Sequence, residues 1–213
     1  MRVVIPYRND QNGTELLYAI RSMVKHFRSM TGLVIVGDKP KWYKGDHIQM
    51  NDLIGRTDFN MYRKLMTIQN ETVLYTTDDH FSLQDFDETL PNYYYGTCGE
   101  AALRGHSGRH RKQYLNCPAE WLNFDIHCPM IIDTSKFTWE PQILNRPIKT
   151  CYANQNDLPG TYLPDLKFGN YHDYDRIKQI INGKPFFSTS PFCINKAMID
   201  ILKELYPEKS CYE

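Results

Sequence analysis

Residues 1–80 of this chain predict an α/β fold, a mostly parallel sheet flanked by helices, on three observations. Strand-length apolar runs alternate with segments of helical period. The runs are apolar at every position, as in strands covered on both faces, whereas a half-exposed antiparallel strand would alternate. The third observation is that polar clusters follow the runs: Tyr7-Arg8-Asn9, Gly37-Asp38-Lys39 and Asp78-Asp79-His80. Ligands of parallel sheets bind at the carboxyl ends of the strands, so these clusters are expected to converge on one crevice.

Val3–Ile5 reads as a first strand, ended by Pro6. Asn12 and Glu15 have the spacing of a capping box. The helix they introduce places Leu16, Leu17, Ile20, Met23, Val24 and Phe27 on one face. Gly32 stops it, Leu33–Val36 forms a second strand, and Ile48 marks a short third. Phe59, Tyr62, Leu65 and Met66 recur at helical spacing ahead of the strand Thr72–Tyr75. Beyond residue 82 the rhythm fades, and residues 85–125, rich in Tyr, Gly, His and Arg, show no clean period. Met130–Ile132 and Ile148–Tyr152 read as later strands, and residues 153–172 as a long irregular loop. Asp173 caps a short helix with Ile177, Ile180 and Ile181, closed by Gly183. A last amphipathic helix turns Met198, Ile201, Leu202 and Leu205 inward. Without repeat or linker, residues 1–213 are expected to form one domain.

At 41% apolar residues the chain can bury a sizeable core. Its 25 basic and 25 acidic side chains cancel, so no global field draws it to nucleic acid or membrane. No run approaches the ~20 apolar residues of a membrane span, and the apolar start is too short for a signal peptide. Six scattered cysteines without a Cys-x-x-Cys pair fit the reduced thiols of a cytoplasmic enzyme. Cys98, His106, His110 and Cys117 can be drawn as a zinc set, but their spacing matches no common module.

The chemistry concentrates where Thr72–Tyr75 gives way to Asp78 and Asp79. Two carboxylates crowded at a buried strand end are costly unless a cation or shared proton relieves them. Mg2+ and Mn2+ take such oxygens and bridge them to phosphates. An N-cap or turn is the other reading of the same pair.

A Rossmann-like first half whose fourth strand ends in acidic residues resembles the GT-A fold of nucleotide-sugar glycosyltransferases. In that family an Asp-x-Asp-type motif holds a divalent metal against the donor diphosphate. The triplet here is Thr77-Asp78-Asp79, with threonine in place of the first carboxylate. The resemblance implies a Mn2+ or Mg2+ ion on Asp79, aided by Asp78, with His172 completing the site as C-terminal histidines do in some GT-A enzymes. It implies a nucleoside-diphosphate sugar donor held by residues 1–85 and an acceptor half in residues 86–213. Glu15-Leu-Leu-Tyr-Ala-Ile-Arg21-Ser22 and Gly37-Asp38-Lys39-Pro40-x-Trp42 are similar to the opening of Stealth-type sugar-phosphate transferases, and to small phage and capsule glycosyltransferases. The Thr-Trp-Val-Asp opening of the Stealth group is absent; Ile5-Pro6-Tyr7-Arg8 stands there instead. Sugar-phosphate transfer and nucleotide binding without turnover are therefore the alternatives to glycosyl transfer.

Further candidates follow from position. Pro6, Tyr7 and Arg8 end the first strand, and a guanidinium suits phosphate or base. Asp38 and Lys39 end the second. Arg63 and Lys64 lie one helix ahead of the acidic strand, either facing solvent or reaching the donor. On the acceptor side Asp125 is the candidate general base, with His127 beside it. Asp165 and Lys167 sit in the long loop, which reads as a lid, and Lys167 could neutralise a leaving diphosphate. The basic run from Arg104 to Lys112 suits a polyanionic acceptor such as a modified DNA base, or is a solvated loop. Neutral net charge favours a glycan acceptor.

Overall fold

The computed structural model describes residues 1–8, 13–55, 57–104, 108–138, 146–164, 166, 167, 169 and 171–213, without the side chains of 108–110 and 191. Four strands, β1 (Arg2–Tyr7), β2 (Gly32–Gly37), β3 (Asp46–Ile48) and β4 (Thr72–Tyr75), run parallel in the order β3-β2-β1-β4. A fifth, β7 (Met130–Asp133), closes the edge antiparallel to β4. Between them in sequence come β5 (His80–Ser82) and β6 (Tyr93–Tyr94), which pair outside this sheet.

The period of two along each strand divides the core. Val4, Val34, Val36, Val73, Tyr75 and Ile132 pack with Leu65, Cys151 and Tyr152, from α2 (Thr57–Leu65) and α5 (Ile148–Gln155). Val3, Ile5, Leu33, Ile35 and Leu74 pack with Leu16, Ile20 and Met23 of α1 (Thr14–His26). Each such fully buried aliphatic side chain contributes about 1.5–3 kcal/mol relative to exposure. A third cluster joins the far side of α1 to Phe81, Phe187, α6 (Tyr174–Ile181) and α7 (Lys196–Leu205). The mixed α/β architecture and its mostly parallel central sheet are thus as expected.

Several elements differ from expectation. Pro6 does not end β1, which continues to Tyr7. Its nitrogen lies on the β4 side of the strand, and pairing with β4 stops at Val4, so no ladder bond is lost. Val24 is largely exposed, while Tyr18 and Ala19 take the buried face. Asn12 lies outside the described residues, so the capping box is not described; Gly13, with φ 71°, is the N-cap. Ile148–Tyr152 is not a strand but the start of α5, entered from Pro147 at φ −65°. Two short helices, α3 (Cys98–Arg104) and α4 (Gly108–Leu115), stand in the segment without clean period. A two-residue strand, β8 (Thr161–Tyr162), pairs with β6 inside the expected loop. The Asp173 cap is present, its carboxylate accepting from Arg176 N at 2.7 Å. No helix of the described residues is long and apolar enough to cross a membrane.

Candidate active site

The carboxyl ends of β1, β2 and β4 meet along one sheet edge. Gly37 closes β2 at φ +126°, where a Cβ would lie 2.0 Å from the Tyr7 carbonyl oxygen. That oxygen accepts from Asp38 N at 3.2 Å and from Lys64 Nζ at 2.9 Å. Lys64 is only 2% exposed and also pairs with Asp52 at 2.7 Å. Its ammonium therefore holds the strand ends from beneath. Pro6 and Tyr7 are buried, and Tyr7 packs in the core. Arg8 and Lys39 are exposed and Asp38 half-buried, with Lys39 Nζ 5.9 Å from the centre of the Tyr43 ring. Half-buried Arg63 points Nη1 at the Asn51 carbonyl, 3.4 Å away.

The turn after β4 carries Thr77, Asp78 and Asp79 into β5. That strand pairs antiparallel with β9 (Phe186–Ser188), bringing residues 188 and 189 against the acidic turn. Asp79 Oδ1 accepts from Thr77 Oγ1 at 2.5 Å and Oδ2 from Ser188 Oγ at 3.0 Å. Lys167 Nζ lies 3.6 Å from Oδ2, His80 Nε2 lies 3.7 Å from Oδ1, and the Asp79 carbonyl accepts from Thr189 N at 3.1 Å. Thr189 in turn donates to Glu15 at the start of α1.

Burial opposes ionisation of Asp79, but His80, Lys167, His127 and the Thr77 hydrogen bond outweigh it and bring its pKa to about 2. For His80 itself burial dominates and, despite Asp79, holds the imidazole well below its usual value, so the ring is neutral at pH 7. Lys167 and the two hydroxyls therefore keep Asp79 ionised at neutral pH. Since the folded pKa lies below the ordinary 3.8, Asp79 stabilises the fold above that value, and the benefit disappears as pH falls through about 2. The stability advantage of wild type over Asp79→Asn is expected to shrink in urea melts as pH is lowered toward 2. An advantage independent of pH would contradict this assignment.

Residues 122–128 face this turn as a strap fastened to α5. Lys149, buried, donates to the carbonyls of Ile126 and, at 3.0 Å, Cys128, on either side of His127. Thr150 Oγ1 accepts from the amides of Phe124 and Asp125, both at 3.1 Å. Asn154 exchanges two bonds with the Leu122 backbone, at 2.8 and 3.1 Å. The half-buried His127 meets His80 edge-on, with ring centroids 6.2 Å apart. Tyr75, at the end of β4, links the two sides: burial first, then the charges of Asp125, Asp58, Asp79 and Asp78, raise its pKa well above the ordinary value. The charges of four carboxylates thus act on one phenol.

No protein-family model matches the chain, and no curated protein matches it. Among solved structures the chain is similar to the apo-form glycosyltransferase GlyE of Streptococcus pneumoniae TIGR4, at a TM-score of 0.48 and 14% identity. The match covers 98% of this chain and 60% of the other, so the chain spans about three-fifths of that structure's length. This is a likeness of general shape.

Asp79, His127 and Lys167 are therefore gathered at the acidic turn, and the charges of Asp78 and Asp125 both act on Tyr75. His172 is exposed, between Tyr171, whose carbonyl accepts from Asn195 at 2.7 Å, and the α6 cap. Among the described residues no group of three or more His, Cys, Asp or Glu side chains is arranged to hold a metal ion. Asp165 lies outside the described residues, as does His106 of the drawn zinc set; Cys98 and Cys117 are buried, with Cys117 in hydrogen-bonding contact with Cys98 and Cys151. Sequence reasoning placed His80 in the acidic cluster without giving it a role, and missed Ser188, Thr189 and the α5 trio. Ser188-Thr189-Ser190 directly follows Phe186-Phe187, a polar cluster after an apolar pair like the three that were recognised.

Proposed function

We propose that this chain is a glycosyltransferase moving a sugar from a nucleoside-diphosphate sugar to a hydroxyl acceptor, with a glycan the favoured acceptor. The observation that carries the reading is the meeting of the acidic turn after β4 with the 122–128 strap, through His80 and His127, beside the Asp79–Lys167 pair. Asp38 offers a carboxylate to a ribose or base, and Arg8 a guanidinium to phosphate. Asp125 takes the acceptor proton as the hydroxyl oxygen bonds to the anomeric carbon, and the bond from that carbon to the diphosphate breaks with its electron pair on phosphate oxygen. Lys149 and Thr150 position the strap on which Asp125 sits.

The formal charge of zero supports a glycan over a polyanion. Within the basic run, Arg104 is engaged already: it donates to the Tyr95 carbonyl at 3.0 Å and stacks 4.3 Å from that ring's centre. Arg111 and Lys112 are exposed.

A thermal-shift screen of nucleotide sugars identifies the donor, because a ligand of the folded state raises the melting temperature. With that donor, Asp125→Asn is expected to lower turnover about 10²-fold or more while donor affinity is unchanged. An unaffected rate, or an equal loss of donor affinity, would remove Asp125 from the role of base. A phosphodiester in the product would assign sugar-phosphate transfer instead. Transfer to DNA that weakens steeply with salt would replace the glycan as acceptor.

A further inference from the structure

We propose that Lys167, and not a divalent cation, stabilises the departing nucleoside diphosphate; the inference rests on the nucleotide-sugar reading above and deepens it. The expected Mn2+ or Mg2+ does not fit the donor set around Asp79. Each carboxylate oxygen accepts one hydrogen bond, Oδ1 from Thr77 at 2.5 Å and Oδ2 from Ser188 at 3.0 Å, which fixes the carboxylate's orientation toward Lys167. The Lys167 ammonium stands 3.6 Å from Oδ2. A divalent ion ligated there would have to crowd against that positive charge or expel it. Among the described residues no group of three or more His, Cys, Asp or Glu side chains is arranged for such an ion, so water and phosphate oxygens would have to supply most of its ligands. Thr77, where a first carboxylate would complete an Asp-x-Asp motif, spends its hydroxyl as a donor to Asp79.

Lys167 itself is placed rather than loose. Its backbone bridges in parallel to Ser188, and Ser188 N donates to the Leu166 carbonyl at 3.1 Å. β9 thus carries both the hydroxyl that fixes Asp79 and the segment that delivers the lysine. The Lys167 side chain remains 39% exposed, within reach of a ligand, while Asp79 is more enclosed at 21%. Asp79 is then a positioning residue: it aims an ammonium at the crevice. Arg8, exposed at the end of β1, adds a second cation on the same sheet edge. In the transfer step the acceptor oxygen bonds to the anomeric carbon and its proton goes to Asp125. The carbon–oxygen bond to the diphosphate breaks, and the electron pair stays on the phosphate oxygen, to which Lys167 donates a charge-assisted hydrogen bond. No further reactant is required.

The test is calorimetry on the full chain with UDP, GDP, CDP and ADP in turn, in EDTA and in manganese chloride. The diphosphate that binds is expected to show the same affinity in both buffers. Lys167→Met should weaken it about tenfold or more in EDTA, and Lys167→Arg should restore part of the loss. Asp79→Asn should weaken it less than Lys167→Met does, the reverse of the order a metal ligand would give. A melting curve for each variant checks that it is folded. Binding that requires manganese, or Lys167→Met binding as wild type does, overturns the lysine proposal and leaves the nucleotide-sugar reading standing. Wild type binding no diphosphate in either buffer overturns that reading, and this inference with it.

Discussion

A Gly37→Ala variant is expected to lose about 3 kcal/mol or more of stability, seen as a lowered denaturation midpoint with an unchanged slope. Two costs combine. The φ of +126° lies where side chains other than hydrogen are strained, and the added carbon would stand 2.0 Å from the Tyr7 carbonyl oxygen and 2.8 Å from Lys64 Nζ. Neither neighbour can yield cheaply: Tyr7 belongs to a strand paired along its full length with β2, and Lys64 is buried between that carbonyl and Asp52. Gly32→Ala at the opposite end of β2 is the control, since its Cβ would meet nothing within 4 Å. It should change stability by no more than about 0.5 kcal/mol. Equal midpoints for the two variants would show that the β1–β2 edge does not depend on this close approach.

Asp79→Ala is expected to reduce turnover by about 10²-fold or more with the donor that the thermal-shift screen identifies. The methyl group cannot accept from Thr77 or Ser188, and it leaves Lys167 without the charge that aims it. Secondary structure should persist, because Asp79 lies in the turn between β4 and β5, outside every strand and helix. Steady-state rates on protein shown to be folded by circular dichroism make the comparison. Turnover at the wild-type level would remove the acidic turn from the mechanism altogether.

How much of this was legible follows from which forces act locally. The β1, β2 and β4 runs were readable because burial on both faces leaves an unbroken apolar signature. The acidic turn was readable because Asp78 and Asp79 stand at the end of one such run. α5 was misread as a strand, since Ile148, Thr150, Cys151 and Tyr152 carry strand propensity. The helix prevails through tertiary bonds: Lys149, Thr150 and Asn154 satisfy the backbone of residues 122–128. Such partners are invisible to local pattern. α4 hid for another reason, being short and mostly polar, with no apolar stripe to give a period. Lys64 is a similar case, because charge on an amphipathic helix ordinarily faces water, whereas here a strand-end carbonyl and Asp52 hold it inside. At the site, the adjacent carboxylates suggested a cation, and the sequence does contain one: Lys167, 88 positions along from Asp79 by the residue numbering.

The bond from Ser188 to Asp79 joins residues 109 positions apart. During translation the parallel strands are complete once Tyr75 has been made, and the antiparallel edge follows at Asp133. The acidic turn then waits for β9. At ~5–20 residues per second the 109 positions from Asp79 to Ser188 take roughly 5–20 s to make. A polypeptide that ends ahead of Phe186 lacks the hydroxyl, and the strand, that orient Asp79. The geometry of the acidic turn is therefore completed late in synthesis, once β9 has been made.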